Sequence, residues 1–237
     1  MNFITVCFSP ALYSYYNDEN SVVVIVDVFR ATTSMCVAFS NGVKSIRTVA
    51  DIEEARTMKE RGYLVAAERN VRKVDFADFG NSPFDFTSEK VSGKELVFTT
   101  TNGTKAVEKA KNADEIIIGA FSNIDAVKEF CISVRKNVFI LCSGWNNRFC
   151  VEDTLFAGAL AKKLIDTELF KSKSDAVNVS VDLWNIAKEN LLSYICKTEH
   201  YERLVQNGLE NSAEYCLTEN TTPMVPRYNK CSQSFEL

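Results

Sequence analysis

Several segments of the chain carry residue types that bind anions or divalent cations, and each follows a short apolar run. Asp27-Val28-Phe29-Arg30 follows residues 22–26 and leads into Thr32, Thr33 and Ser34. Glu68-Arg69 follows residues 64–67, and Thr101-Asn102-Gly103-Thr104 follows residues 96–98. Ser122-Asn123 and Cys142-Ser143-Gly144 end two further runs, with Glu152-Asp153 a few residues beyond the second. A carboxylate at the end of an apolar run needs a partner or a cation. Asp27, Glu68, Glu152 and Asp153 are oxygen donors of the kind Mg²⁺ takes beside phosphate oxygens and water. A helix start offers free N–H groups and partial positive charge to an anion. Arg30 adds a forked donor, Thr32, Thr33, Thr101 and Thr104 add hydroxyls, Asn102 adds an amide, and Gly103 permits close backbone approach. A structural reading stands beside each of these. Ser, Thr and Asn are ordinary helix caps, Asp27 can pair with Arg30 or Arg69, and acids favour the first turn of a helix.

Other chemistries find less support. Cys142 and Arg148 have the spacing of a phosphate loop with a nucleophilic thiolate, a chemistry that needs a low-pKa thiol among backbone donors. The glycine, however, stands two residues after the cysteine, where such loops have it three after. No nucleotide-binding Gly-rich signature follows a strand. The eight cysteines include no Cys-x-x-Cys pair and read as reduced, buried thiols. The single histidine, His200, falls in a helical stretch and reads as structural or exposed.

The positioning elements follow from hydrophobic period. Strands are expected at residues 4–8, 22–27, 45–49, 64–67, 95–99, 115–119 and 137–142, with helices at 32–40, 52–61, 105–111, 124–134 and 152–165. Near-continuous Val/Ile/Leu strands imply a sheet covered on both faces, and strand–helix alternation is the α/β signature. In open α/β sheets ligands bind beyond the carboxyl ends of the strands, which is where the polar segments lie. Asp51 and Glu54 suggest a capping box, and Gly62 and Gly42 suggest helix stops. Beyond residue 167 helical period dominates (176–194, 200–207, 212–219), with one further short strand expected near Met224-Val225. The expected architecture is one α/β domain over residues 1–237, strand-rich to 166 and completed by helices from 167.

A chain of 237 residues with net charge −4 can bury a sizeable core and is not built to attract nucleic acid or an anionic membrane. Its start lacks signal-peptide character and no apolar run spans a bilayer, so a cytoplasmic location is expected. A homodimer is the base-rate expectation.

Taken together, the polar segments resemble the 2-phosphosulfolactate phosphatase (ComB-like) family. The resemblance runs through Asp27-Val28-Phe29-Arg30-Ala31-Thr32-Thr33, Glu68-Arg69, Gly80-Asn81-Ser82-Pro83, Thr99 to Thr104, Cys142-Ser143-Gly144, and Glu152-Asp153 through Ala157-Gly158. It is weaker in the tail. There a Ser-Pro-His-Gly-Arg segment of the family stands as Thr198-Glu199-His200-Tyr201-Glu202. The resemblance implies a three-layer α/β/α fold with a mostly parallel or mixed sheet. It also implies a Mg²⁺-dependent phosphatase that converts 2-phospho-3-sulfolactate to 3-sulfolactate, a step toward coenzyme M. On that basis Asp27, with Glu68, Glu152 or Asp153, is expected to hold Mg²⁺. Arg30, Thr32, Thr33 and residues 101–104 are expected to bind phosphate, and Arg69, Asn81 and Ser82 the other acid groups. The nucleophile is water, Asp27 or Cys142. The alternatives are a non-catalytic binder of a small phosphorylated ligand and a phosphoryl-handling enzyme with another substrate.

Overall fold

The computed structural model describes residues 1–16, 20–172 and 174–237. Its strands are β1 (Asn2–Cys7), β2 (Ser21–Val26), β3 (Ser45–Thr48), β4 (Leu64–Arg69), β5 (Arg72–Lys73), β6 (Glu95–Thr99), β7 (Glu115–Gly119), β8 (Asn137–Cys142), β9 (Phe170–Lys171), β10 (Arg227–Asn229) and β11 (Ser234–Glu236). Its helices are α1 (Ala31–Ser40), α2 (Ile52–Glu60), α3 (Ser88–Val91), α4 (Gly103–Ala110), α5 (Ile124–Val134), α6 (Val151–Ile165), α7 (Asp175–Ala187), α8 (Leu191–Ile195), α9 (Glu199–Gln206) and α10 (Glu210–Cys216). All seven expected strands form. They are the β-branched runs, which suit a pleated surface buried on both faces.

The strands make one mixed sheet of order β5-β4-β6-β3-β11-β10-β7-β2-β8-β1-β9. Two parallel blocks, β4-β6-β3 and β7-β2-β8-β1, are joined by the antiparallel hairpin β10–β11. Alternation along β2 assigns its two faces. Val22, Val24 and Val26 pack with α5, α6 and α7 residues, whereas Val23 and Ile25 pack with α1 and α4 residues. The second block follows the same rule, with Val65, Ala67 and Val97 on the α2 side. The result is a three-layer α/β/α arrangement.

The tail departs from expectation. Met224 and Val225 do not form a strand. The Pro226 carbonyl accepts from Ile118 N–H at 3.0 Å, and the strands come just after it. Phe235 is fully buried and Tyr228 packs on it at 5.3 Å, so this hairpin completes the sheet between its two blocks. The expected helix over 176–194 is broken by a 3₁₀ turn at Lys188–Asn190, after which Asn190 caps α8 by accepting from Ser193 N–H at 3.0 Å. Asp51 caps α2 through Glu53 N–H at 3.0 Å instead of through a box with Glu54. No helix among the described residues is long and apolar enough to cross a membrane.

Candidate active site

The two parallel blocks run in opposite directions across the β10–β11 hairpin, yet residues that end or follow β2, β4, β6 and β8 meet around one cavity. Asp27 and Arg30 lie between β2 and α1. Both are buried. Asp27 Oδ1 accepts from Ala31 N–H at 3.4 Å, and no described residue donates to Oδ2. Arg30 Nη2 donates to the Val71 carbonyl at 3.2 Å, while Nη1 is buried without a partner. The Phe29–Arg30 peptide bond is cis.

The neighbouring hydroxyls are occupied. Thr32 Oγ1 donates to the Asp27 carbonyl at 2.9 Å and accepts from Asp27 N–H at 3.1 Å. Thr33 Oγ1 donates to the Val28 carbonyl at 3.2 Å. The Thr104 hydroxyl donates to the Thr100 carbonyl at 3.0 Å, and that of Thr101 to Glu68 Oε1 at 3.1 Å. These hydroxyls tie the first turns of α1 and α4 and the loop at Glu68 to neighbouring backbone and carboxylate, but none caps a helix, since neither α1 nor α4 has a side-chain N-cap.

Glu68, at the end of β4, is saturated. It accepts from Val71 N–H, from the Thr101 hydroxyl and from Thr101 N–H at 3.3 Å. Asp153 is likewise committed, to Val28 N–H and Gly144 N–H, both at 2.9 Å, and so ties the loop after β2 to the loop after β8. Glu152 behaves differently. Oε1 pairs with His200 Nδ1, and Oε2 is buried without a partner. Asp27 and Glu152 therefore each keep an oxygen with no donor among the described residues.

His200 was not expected here. Helix α9 carries it to the same cavity, where its ring packs on Phe29 at 5.6 Å and Trp145 at 5.2 Å. Cys150 Sγ lies 4.0 Å from Nδ1, so Cys150, Glu152 and His200 group their donor atoms within 4.8 Å of one another. Burial raises the Cys150 thiol pKa, with Glu152 and Asp153 adding to the rise. A thiol is a soft ligand and suits Mg²⁺ less than the carboxylates do.

A cavity of about 10 Å³, room for one water-sized group, lies at the meeting point of Asp27, Arg30, Glu68, Asn81, Asn102 and His200. Asn81 Oδ1 is buried there without a partner. Arg69 and Ser82 do not line this cavity. The Arg69 guanidinium donates to the carbonyls of Glu68 (2.7 Å) and Ala50 (3.3 Å) and to the Thr99 hydroxyl (2.9 Å). Ser82 is half-buried at the start of a 3₁₀ turn.

Gly103 opens α4 directly against Asp27. A Cβ there would stand 2.8 Å from Asp27 Oδ2 and 2.9 Å from Ala31 Cβ. Gly103→Ala is expected to displace the Asp27 carboxylate and to lower turnover about 10²-fold, the cost of roughly 1 Å of misplacement at a reacting centre. Its stability loss is expected to stay near 1–3 kcal/mol, as for other overpacked sites. Steady-state kinetics and thermal unfolding separate the two effects.

Cys142 is not arranged as a nucleophile. Its thiol is buried, and burial raises its pKa, with Asp153, Cys7 and Glu152 adding to the rise. The segment after it does not wrap the sulfur. Trp145 and Arg148 exchange both backbone hydrogen bonds around Asn146 and Asn147, both at positive φ, so Arg148 ends a tight hairpin turn. Gly144 has φ +61°, and a Cβ there would sit 2.1 Å from the Arg148 carbonyl oxygen. Cys142→Ala is expected to keep turnover within about threefold, whereas loss of a covalent nucleophile removes it.

The cluster also shapes stability against pH. Burial raises the Asp27 carboxyl from 3.8 to about 6; His200 and the Ala31 amide oppose this, and Glu68 and Glu152 add to it. A folded-state value above the unfolded one makes ionisation costly. Metal-free protein is thus expected to lose up to about 3 kcal/mol through this group as pH rises from about 4 to 6. Glu152 works in the opposite sense. Burial pushes it up, but His200, its own backbone amide and Cys150 together hold it below its ordinary 4.5, which favours the fold above that pH. Melting temperatures measured in chelator from pH 4 to 7 read the balance.

An α/β fold that gathers buried carboxylates, a buried arginine and a helix start around one small cavity has the parts of a phosphoryl-transfer hydrolase. Comparison with known proteins gives the family. The family model for 2-phosphosulpholactate phosphatase matches residues 7–231, and the chain belongs to that family. A probable 2-phosphosulfolactate phosphatase of Thermotoga maritima is 38% identical over 208 residues, covering 88% of this chain and 89% of its own. Proteins of the same description from Caldanaerobacter subterraneus and Clostridium acetobutylicum are 34% and 31% identical over 225 and 213 residues. These alignments cover 91% and 89% of this chain, and 93% and 90% of the relatives. Family membership supports hydrolase activity of the phosphatase class.

Proposed function

We propose that the chain is a Mg²⁺-dependent phosphatase acting on 2-phospho-3-sulfolactate or a closely related 2-phosphorylated hydroxy acid. The observation that carries this reading is that Asp27 Oδ2, Glu152 Oε2 and Arg30 Nη1 lack partners among the described residues, Asp27 and Arg30 at one cavity and Glu152 joined to it through His200. Unsatisfied buried groups of both signs are costly, and a cation with a phosphate would satisfy both kinds. Hard oxygen donors fit Mg²⁺, so Asp27 and Glu152 are the residues that would hold it, with Glu68 behind them. Mg²⁺ held there would neutralise phosphate charge and polarise the phosphoryl group.

The chain's own residues supply the rest. Arg30 donates from Nη1 to a phosphoryl oxygen. The start of α4 at Gly103 presents backbone N–H groups close to Asp27. Asn81 and Asn102 orient the ligand through their amides. Glu152 fixes the His200 ring through Nδ1, which leaves Nε2 to exchange a proton with the leaving hydroxy acid or with attacking water. Thr32, Thr33, Thr101 and Thr104 hold the loops, and Asp153 ties two of them together. Asp27 stands as a metal ligand or as the nucleophile, and Cys142 is set aside. A homodimer and a cytoplasmic location complete the proposal.

The test is phosphate release from a panel of 2-phospho acids with and without a sulfonate, assayed with Mg²⁺ and in chelator. Preference for the sulfonate-bearing substrate, dependent on Mg²⁺, is the expected result. Hydrolysis indifferent to Mg²⁺ would remove the metal from the scheme.

A further inference from the structure

The small cavity leaves no room for the remainder of a phosphorylated hydroxy acid. A much larger cleft, of about 490 Å³, adjoins it, and Trp145 and His200 line both. Its outer wall comes from the turn after β8 and from the α8–α9 region of the tail. Arg148, Lys197 and Arg203 bring three cations to it. The acids facing them are Glu152, already paired with His200, and the exposed Glu199, whose carboxylate lies 3.7 Å from Arg203 Nη1. The balance of the wall is positive, in a chain whose net charge is −4.

Arg203 is the best-placed of the three. Its guanidinium carbon lies 4.1 Å from the Trp145 ring centroid, a cation–π contact that anchors it at the cleft wall. Its Nε is buried with no partner among the described residues. A buried donor left unsatisfied is costly, and an anionic ligand in the cleft would satisfy it. Lys197 stands over the Tyr194 ring at 3.6 Å, and Arg148 is exposed at the end of its hairpin turn.

We infer that this cleft receives the non-reacting anionic group of the substrate, a carboxylate or sulfonate, with Arg203 as the specificity-determining residue and Arg148 and Lys197 supporting it. The inference rests on the phosphatase reading and assigns to the tail the role that Arg69, turned onto the sheet, does not fill. The divergent segment around His200 then sets which acid is accepted, while the small cavity handles the phosphoryl group.

The experiment compares wild type with Arg203→Gln on 2-phospho-3-sulfolactate and on p-nitrophenyl phosphate, which has no second anionic group. The loss of kcat/KM on the first is expected to exceed the loss on the second by at least about tenfold, carried by KM, as one charge-assisted contact predicts. Calorimetric titration with 3-sulfolactate and with inorganic phosphate is run alongside. The variant is expected to weaken 3-sulfolactate at least about tenfold more than phosphate. Arg148→Gln, at an exposed position on a different element, is expected to repeat the selective loss in smaller degree. Equal losses on both ligands, or no measurable 3-sulfolactate binding by wild type, would overturn the inference. If wild type hydrolyses neither ester, the phosphatase reading fails by itself, and the calorimetry still decides whether the cleft binds the acid.

Discussion

Asp27→Asn is expected to lower Mg²⁺-dependent phosphate release by about 10³-fold or more, the scale of removing a charge aimed at the reacting centre. Thermal stability is expected to hold or rise slightly. The Asp27 carboxylate is buried beside Glu68 and Glu152, and burial raises its pKa to about 6, so its charge costs the metal-free fold free energy. Asparagine keeps the size and an acceptor for the Ala31 amide but carries no charge. A change that leaves the fold intact and removes turnover is the signature of a catalytic group and not of a packing one. Phosphate-release kinetics and a melting curve on the same preparation decide it. Turnover within tenfold of wild type would place the metal and the chemistry elsewhere.

The second large effect is on stability. Gly158→Ala is expected to cost about 3 kcal/mol or more, the upper range for overpacking, and thus to lower Tm by about 6–12 °C for a chain of this size. Helices α6 and α7 meet there at backbone distance. A Cβ on Gly158 would stand 2.0 Å from the Ser180 carbonyl oxygen and 3.0 Å from Trp184 Cβ. Neither contact is the far end of a flexible side chain, so the helices must separate. Because α6 also carries Glu152 and Asp153, turnover is expected to fall as well. Differential scanning calorimetry reads the first effect. An unchanged Tm would show that the two helices are not packed as described.

The parallel strands were legible because runs such as residues 22–26 are β-branched throughout, a pattern that fits a strand buried on both faces. The C-terminal hairpin was not. Arg227–Asn229 and Ser234–Glu236 are three-residue strands with polar outward faces, and their buried anchors, Phe235 and half-buried Tyr228, give no periodic signal. In the site, the carboxylates and Arg30 could be named from their places after strands. Which carboxylates keep a free oxygen could not, because that depends partly on donors far along the chain, Val28 for Asp153 and Thr101 for Glu68, beside the nearer Gly144 and Val71. Nothing in its own helical stretch marks His200 as more than a structural or exposed residue. Its meaning comes from α9 reaching the cavity to meet Glu152, Phe29 and Trp145. The threonines of 32–33 and 101–104 fit capping and binding equally by type, and their hydroxyls turn out to be engaged within the loops.

Phosphate release from 2-phospho-3-sulfolactate in chelator, followed by stepwise addition of Mg²⁺, decides whether Asp27, Glu152 and Arg30 form a metal-assisted phosphoryl site. Negligible release in chelator, saturable recovery with Mg²⁺ in wild type and no recovery in Asp27→Asn are expected. Full release in chelator, or Mg²⁺-dependent recovery in Asp27→Asn equal to wild type, would contradict that assignment.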